Sequence, residues 1–351
     1  MNKLRGEDEL LRRLRARLGP SALLGDDAAV ISTGPAPFAV TVDSQIAGVH
    51  FEPDLDPAHV ARRLLAVNLS DLAAMGAQPA YAFLALSTPP GFNRDRFFRA
   101  LVQACQAYEV PLAGGDLARC DQTVATLTLI GAQQKDGRWT LRDGARPGHS
   151  LWLGGTVGES AAGRLLMARG ARPGSGSTIR LPLGFSAPSR LLSAARRAIR
   201  RHLLPSPQLE LGQWLARQKE GGSIDVSDGV ARDLHRLCRE SGCGAEIGAE
   251  SLPFSDRFGD LCDKLSADPL ALALGGGEDY VLLFTLPAEA EPPDSFGCRK
   301  IGTITGERKV LWKHRGRRRI LPDWGWDHLK TKAPAGPPGL AASEREQVLA
   351  E

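Results

Sequence analysis

The chain has 351 residues, with 44 Lys and Arg against 40 Asp and Glu, a formal net charge of +4, 42% hydrophobic and 24% charged residues. That composition describes a soluble globular protein with room for two cored domains and excludes a disordered or fibrous chain. No apolar run approaches the ~20 residues that cross a bilayer, and the charged start MNKLRGEDELLRRLRARLG lacks the apolar centre and cleavage site of a signal peptide, so no membrane partner and a cytoplasmic location are expected.

Strands and helices alternate along the first half. Residues 39–43 (AVTVD) read as a strand. A helix follows from Asp56 as N-cap and Pro57 at the first helical position, and Gly76 with Pro79 stops it. Residues 81–86 form a second strand. Asn93 caps a second helix, with Phe97, Leu101, Ala104 and Tyr108 on one stripe, and 123–130 (TVATLTLI) is a further strand. The composition turns to Gly, Pro and charge at 143–149, which sets a domain boundary.

The second half restarts with a strand at 150–153 and a helix at 159–169, then a Gly/Pro/Ser-rich loop over 171–186. Helices are expected at 187–203, 207–219 and 229–240, and strands at 223–226, 280–286, 299–304 and 309–312. The expected organisation is an α/β (α+β) fold of two domains, 1–143 and 144–330, with a mobile tail over 331–351.

Six aspartates stand in short runs of turn residues: Asp27 in GDD, Asp43 in TVDS, Asp71 in NLSD, Asp116 in GGD, and Asp225 and Asp228 in DVSD. Each one alone could cap a turn or a helix. Gathered together they would need cations, because two carboxylates about 4 Å apart repel by roughly 4 kcal/mol at an effective dielectric near 20. Hard oxygen ligands select Mg²⁺ or Ca²⁺. Asp71 shares a helical stripe with Leu64, Asn68 and Met75, where a carboxylate requires a metal or an Arg partner. Gly114 and Gly115 end a strand and would let backbone approach a phosphate, or simply turn the chain. Ser227 or Asp228 opens a helix, either as its N-cap or as part of a phosphate site.

The familiar nucleotide motifs are missing: there is no GK dipeptide for a P-loop and no GxGxxG. The six cysteines (105, 120, 238, 243, 262, 298) make no CxxC pair and read as reduced thiols rather than a zinc site. The Arg-rich runs RRAIRR and RGRRR come without a nucleic-acid-binding motif and read as solvated faces, so no nucleic-acid partner is expected.

GDDAAV (25–30), TVDSQIAGVHF (41–51), AVNLSDLAAMGAQP (66–79), GGD (114–116), DVSDG (225–229), GGGEDY (275–280) and IGTIT (301–305), in this order and spacing, resemble the thiamine-monophosphate kinase family over about 20–328. That family belongs to the superfamily of aminoimidazole ribonucleotide synthetase. The resemblance implies an N-terminal ATP- and Mg-binding domain that dimerises through its sheet, and a C-terminal domain that completes the substrate site, with ATP between them. It implies transfer of phosphate from ATP to thiamine phosphate, giving thiamine diphosphate, with several Mg²⁺ ions. By the same resemblance the metal-holding positions are Asp27, Thr41, Val42, Asp43, Asp71, Asp116, Asp225 and Asp228. Gly115, Asp116, Arg142, Ser227 and Tyr108 would meet ATP, and His50, Glu278 and Trp326 would meet thiamine phosphate. Val42 replaces a hydroxyl residue usual in the family and offers only its carbonyl, while Leu204 and Gln208 stand where basic residues are common. No residue presents itself as a general base. The competing readings are another ATP-dependent enzyme of that superfamily and, from a different class, a basic nucleic-acid-binding protein without turnover.

Overall fold

The computed structural model describes residues 7–18, 25–32, 34, 36–174 and 178–329; the tail expected to be mobile lies outside the described residues. In chain order the elements begin with α1 (Glu7–Leu18), β1 (Ala29–Ile31), β2 (Phe38–Ile46), α2 (Pro57–Ala74), β3 (Gln78–Thr88), α3 (Arg94–Ala107), β4 (Leu112–Arg119) and β5 (Val124–Ala132). Next come β6 (Ser150–Leu153), α4 (Glu159–Ala168), β7 (Arg172–Pro173), β8 (Ile179–Arg180), α5 (Ser189–Leu203), α6 (Leu209–Ala216) and β9 (Ser223–Asp225). The chain closes with α7 (Val230–Ser241), β10 (Gly244–Gly248), α8 (Phe258–Lys264), α9 (Pro269–Gly275), β11 (Leu282–Leu286), β12 (Arg299–Thr305), β13 (Val310–His314) and β14 (Arg317–Ile320).

Two compact units result. The first holds Asp27–Leu141 and Leu203–Lys219; the second holds the described residues up to Asp26, Arg142–His202, and those from Glu220 on. Against the contiguous domains expected, the division at 141/142 lies close to 143, and two segments change sides. Residues 203–219 join the first unit because α6 lies against α2 with backbone nearly touching: a Cβ on Gly212 would fall 2.0 Å from the Ala73 carbonyl oxygen. The first helix joins the second unit through an ion pair from Arg15 to Glu240 at 2.6 Å.

The first unit is a five-stranded sheet in the order β1-β2-β5-β3-β4. α2 starts as the sequence dictates: Asp56 accepts from the Ala58 N–H at 2.9 Å and Pro57 follows. Gly76, at φ +66°, then turns the chain into β3. α2 is buried almost all round, which suits a helix lying between the sheet, α3 and α6. Asn93 caps α3 by accepting from Arg96 N at 3.0 Å. The glycines of GGD do not end a strand; β4 runs through them, and a Cβ on Gly115 (φ +156°) would meet the Leu84 oxygen at 1.9 Å. Close approach of β4 to β3 requires that glycine.

The second unit is a seven-stranded sheet in the order β14-β13-β10-β12-β6-β11-β9. Leu151, Leu153, Ile224, Leu234, Ile247, Leu283 and Ile304 lie in one core cluster, with β6, β9 and β11 buried throughout. The expected loop at 171–186 contains the paired β7 and β8. Of the Arg-rich runs, RGRRR makes the turn into the exposed edge strand β14 and its first residues, and RRAIRR lies on α5.

Candidate functional site

In the first unit, strand alternation sends Thr41, Asp43 and Gln45 towards α2 and Val42 to the opposite face, where it is 57% exposed. The Thr41 hydroxyl donates to Asp71 Oδ2 at 2.5 Å. One turn along α2, Asn68 is fully buried; its side chain accepts from the Asp43 N–H at 3.0 Å and donates to the Leu64 carbonyl at 2.8 Å. A further turn back, the buried Arg63 donates to Gln45 at 3.0 Å. The result is a polar seam between strand and helix, with Asp71 at its half-buried end. A carboxylate oxygen of Asp27 lies within 4.8 Å of one on Asp71. Two acids at that separation, beside a hydroxyl, match the hard oxygen donors that a divalent cation requires. Asp116 stands apart on the exposed edge strand β4, and Tyr108 forms the half-exposed C-terminal end of α3. His50 closes the turn after β2: its Nδ1 accepts from the Ile46 N–H at 3.1 Å, which leaves Nε2 as the ring donor.

In the second unit, backbone hydrogen bonds draw together runs far apart in sequence. Asp225 ends β9 at 2% exposure. Tyr280 N–H donates to Val226 O at 2.9 Å, Glu278 N–H to Ser227 O at 2.7 Å, and Trp326 N–H to Asp228 O at 3.0 Å. The segment 225–228 is thereby held between the runs carrying Glu278 and Trp326. The backbone here is strained: Glu278 and Tyr280 sit at φ +61° and +50°. The Glu278 carboxylate lies 3.2 Å from His202 Nδ1, and Trp326 is 42% exposed. Arg142, expected to meet nucleotide, donates its backbone N–H to Asp26 at 2.7 Å and its guanidinium to the Gly25 carbonyl at 3.1 Å, fastening the GDD run.

The helix opening differs from the expected N-cap. α7 begins at Val230 with no cap from Ser227 or Asp228. Instead Asp233 reaches back, accepting from the N–H groups of Asp228 and Gly229 at 3.0 and 3.1 Å. Arg236 donates to Asp228 Oδ2 at 2.6 Å and to Asp233 at 3.1 Å, and Arg232 donates to Asp327 at 2.9 Å. Asp8 of α1 joins the cluster through Arg236 and Arg239. Burial raises the Asp8 pKa, but the guanidinium groups of Arg236, Arg239 and Arg232 outweigh it and hold the carboxyl below its ordinary value. Asp228 is therefore charge-compensated by Arg at its Oδ2 in this structure.

Two features escaped the sequence. Asp279, beside Glu278, is fully buried and caps α4, accepting from Gly158 N at 2.7 Å and Ser160 N at 3.2 Å; burial pushes its pKa up to about 7. His202 links Glu278 to Ser160, whose hydroxyl is 3.3 Å from Nδ1. The GED run carries an obvious acid pair, but only the fold reveals which member faces inward.

Residues 25–133 match the family model of AIR synthase related protein, N-terminal domain. Over 344 residues the chain is 36% identical to thiamine-monophosphate kinase of Escherichia coli K12, covering 93% of this chain and 99% of the relative. It is 31% identical to that of Aquifex aeolicus over 82% of this chain and 88% of the relative. The solved structure "AaThiL complexed with AMPPCP and TMP" superposes with a TM-score of 0.81 at 30% identity, covering 93% of this chain and 98% of that one.

Proposed function

We propose that this chain, which belongs to the thiamine-monophosphate kinase family, transfers the terminal phosphoryl group of ATP to thiamine phosphate, giving ADP and thiamine diphosphate. The observation that carries the reading is the convergence of Asp27 and Asp71 beside Thr41, in a chain similar to a solved relative named as complexed with AMPPCP and TMP.

The residues present fit magnesium. Asp27, Asp71, Thr41 and Asp43 would hold it in the first unit, with Asp116 and the Val42 carbonyl as further donors, and Asp225 and Asp228 would serve the same task in the second. Bound there, Mg²⁺ supplies neutralising charge and alignment to the phosphates. The chain itself supplies position. Gly115, Arg142, Ser227 and Tyr108 are assigned to the nucleotide. His50 is assigned to the acceptor through its Nε2–H. Glu278 and the exposed indole of Trp326 offer an acid and an aromatic face, which suit the aminopyrimidine and the cationic thiazolium of thiamine phosphate. No general base is needed, because the acceptor phosphate has a second pKa near ~6 and is already largely dianionic at neutral pH.

The face of the first sheet turned away from α2 presents Val42, Tyr81 and Phe83, 57%, 51% and 39% exposed, with Val42 and Phe83 both opposite Thr128. An apolar sheet face of this kind is an association surface, and we assign it to a homodimer. Among the described residues no helix is long and apolar enough to cross a membrane, and we place the enzyme in the cytoplasm with its ATP.

The test is ADP release from Mg-ATP with thiamine phosphate, free thiamine or no acceptor, the product being identified by mass. ADP and thiamine diphosphate formed together with thiamine phosphate are the expected result. Absence of turnover by a folded, metal-supplied sample would overturn the assignment.

A further inference from the structure

Far along α7 from the acid site, the helix ends in a left-handed glycine, Gly242 at φ +66°. Gly242 N–H donates to Arg239 O at 3.2 Å and Cys243 N–H to Cys238 O at 3.0 Å. This is the paired hydrogen-bond pattern of a Schellman turn, which folds the side chain after the glycine back onto the last helical turn. An apolar pair usually makes that contact. Here both positions are cysteine, buried at 3% and 5% exposure, and the two thiols perturb each other's ionisation. A disulfide requires Cα atoms roughly 4.4–6.8 Å apart with converging side chains, and the Schellman turn, through the Cys243 N–H bond to the Cys238 carbonyl, brings these two positions together.

Both cysteines belong to the core cluster of this unit, at its edge. The pair lines a cavity of about 350 Å³ whose wall also carries His235, Arg239, Arg308 and Lys309. His235 spends its Nε2–H on the Leu321 carbonyl at 2.8 Å, and Arg239 is shared with Asp8 at 3.2 Å. Arg308 and Lys309 lie on the exposed turn before β13 and give the mouth a positive charge. The thiols are also unequal. The hydrogen bond from Cys238 lowers the pKa of Cys243, and the same bond, with burial, raises that of Cys238. Cys243 is the more exposed of the two and is assigned as the attacking sulfur, with Cys238 behind it.

We propose that Cys238 and Cys243 form a redox-active dithiol, oxidised by a small disulfide bearing carboxylates that the basic cavity mouth recruits. The Cys243 thiolate attacks one sulfur of the small disulfide, its own proton passing to the thiolate that leaves. Cys238 then gives up its proton and attacks the Cys243 sulfur, expelling the second small thiol. The protein loses two hydrogens, and one small disulfide becomes two thiols. Cytosolic disulfides of this transient sort are typically redox sensors. The inference goes beyond phosphoryl transfer, in which neither thiol takes part.

The experiment treats the native full chain with glutathione disulfide and, in parallel, with the uncharged hydroxyethyl disulfide, then maps the cysteines by peptide mass. The expected result is a 238–243 link, reversed by dithiothreitol, while exposed Cys120 acquires only a mixed disulfide. Cys238→Ser should leave the small thiol trapped on Cys243, and Cys243→Ser should leave Cys238 unmodified. Arg308→Glu with Lys309→Glu should slow linking by glutathione disulfide about tenfold and leave the uncharged reagent unaffected. Modification of Cys120 without a 238–243 link, or a link that forms only after denaturation, would overturn the proposal. Equal slowing with both reagents would overturn the recruiting role of the cavity.

Discussion

In the first unit Asp71 meets the Thr41 hydroxyl and approaches the Asp27 carboxylate, whereas at the head of α7 Asp228 and Asp233 meet the guanidinium of Arg236 at 2.6 and 3.1 Å. The same residue type in similar short runs has two modes of charge compensation. On β2 and α2 the Thr41 hydroxyl orients the Asp71 carboxylate and Asn68 holds the Asp43 backbone. On α7 the neighbours are arginines, which cancel it and fix the helix opening. The first arrangement gathers oxygen donors, which we assign to a cation; the second builds the frame that carries Asp225, Glu278 and Trp326.

Breaking the frame should cost most in stability. Arg236→Ala leaves Asp228, Asp233 and Asp8 without a shared cation, and should destabilise the protein by about 3 kcal/mol in denaturant unfolding. If α7 tolerates the change without loss, the clamp is not structural. Removing a waiting acid should do the reverse. Asp71→Asn should keep the melting temperature within a few degrees and cut turnover at least about tenfold. Near-normal turnover would contradict the metal role.

Glu278→Gln sharpens the contrast between nucleotide and acceptor. KM for thiamine phosphate should rise about tenfold while KM for ATP holds, since the changed group is assigned to the acceptor alone. A parallel rise in both would mean that the strained loop itself had been disturbed. A smaller loss, about 1 kcal/mol, is expected for Asp56→Ala, which removes the α2 cap and the Arg96 ion pair at the opposite end of α2 from Asp71. Its turnover should be unchanged.

The subtlest prediction concerns pH. Burial holds the Asp279 pKa up to about 7, while an unfolded Asp ionises near ~4. Between those values the folded chain keeps a proton that the unfolded chain has released. Stability from this group is complete below the lower value and declines as pH rises towards the upper one. Asp279→Asn should flatten that decline in melting temperature between pH 5 and 7. An unaltered slope would place the titration on another group.

Local signals carried much of this into the sequence. Asp56-Pro57 and Gly76 bracketed α2, Asn93 opened α3, and the stripe through Asn68 and Asp71 placed both on the helix face that meets β2. Strand alternation also separates Val42 from Thr41 and Asp43. What stayed hidden depended on contacts between distant segments. β10 is not among the strands the sequence predicts, and there a Cβ on Gly244 would fall 1.9 Å from the Glu307 oxygen, so that glycine serves close backbone approach. Gly115 belongs inside β4 for the same reason. The helix cap falls to Asp233 instead of Ser227 or Asp228 because Arg236 and burial select it, and no short-range rule contains that choice. The return of 203–219 to the first unit turned on Gly212 meeting Ala73, a fit between helices invisible to periodicity.

The most direct test counts bound Mn²⁺ by electron paramagnetic resonance, with a nonhydrolysable ATP analogue present, in the parent protein, Asp71→Asn and Asp56→Ala. Tight Mn²⁺ binding that weakens in Asp71→Asn and persists in Asp56→Ala is the predicted result. Equal binding by all three would contradict the assignment of the β2–α2 acids as the metal site.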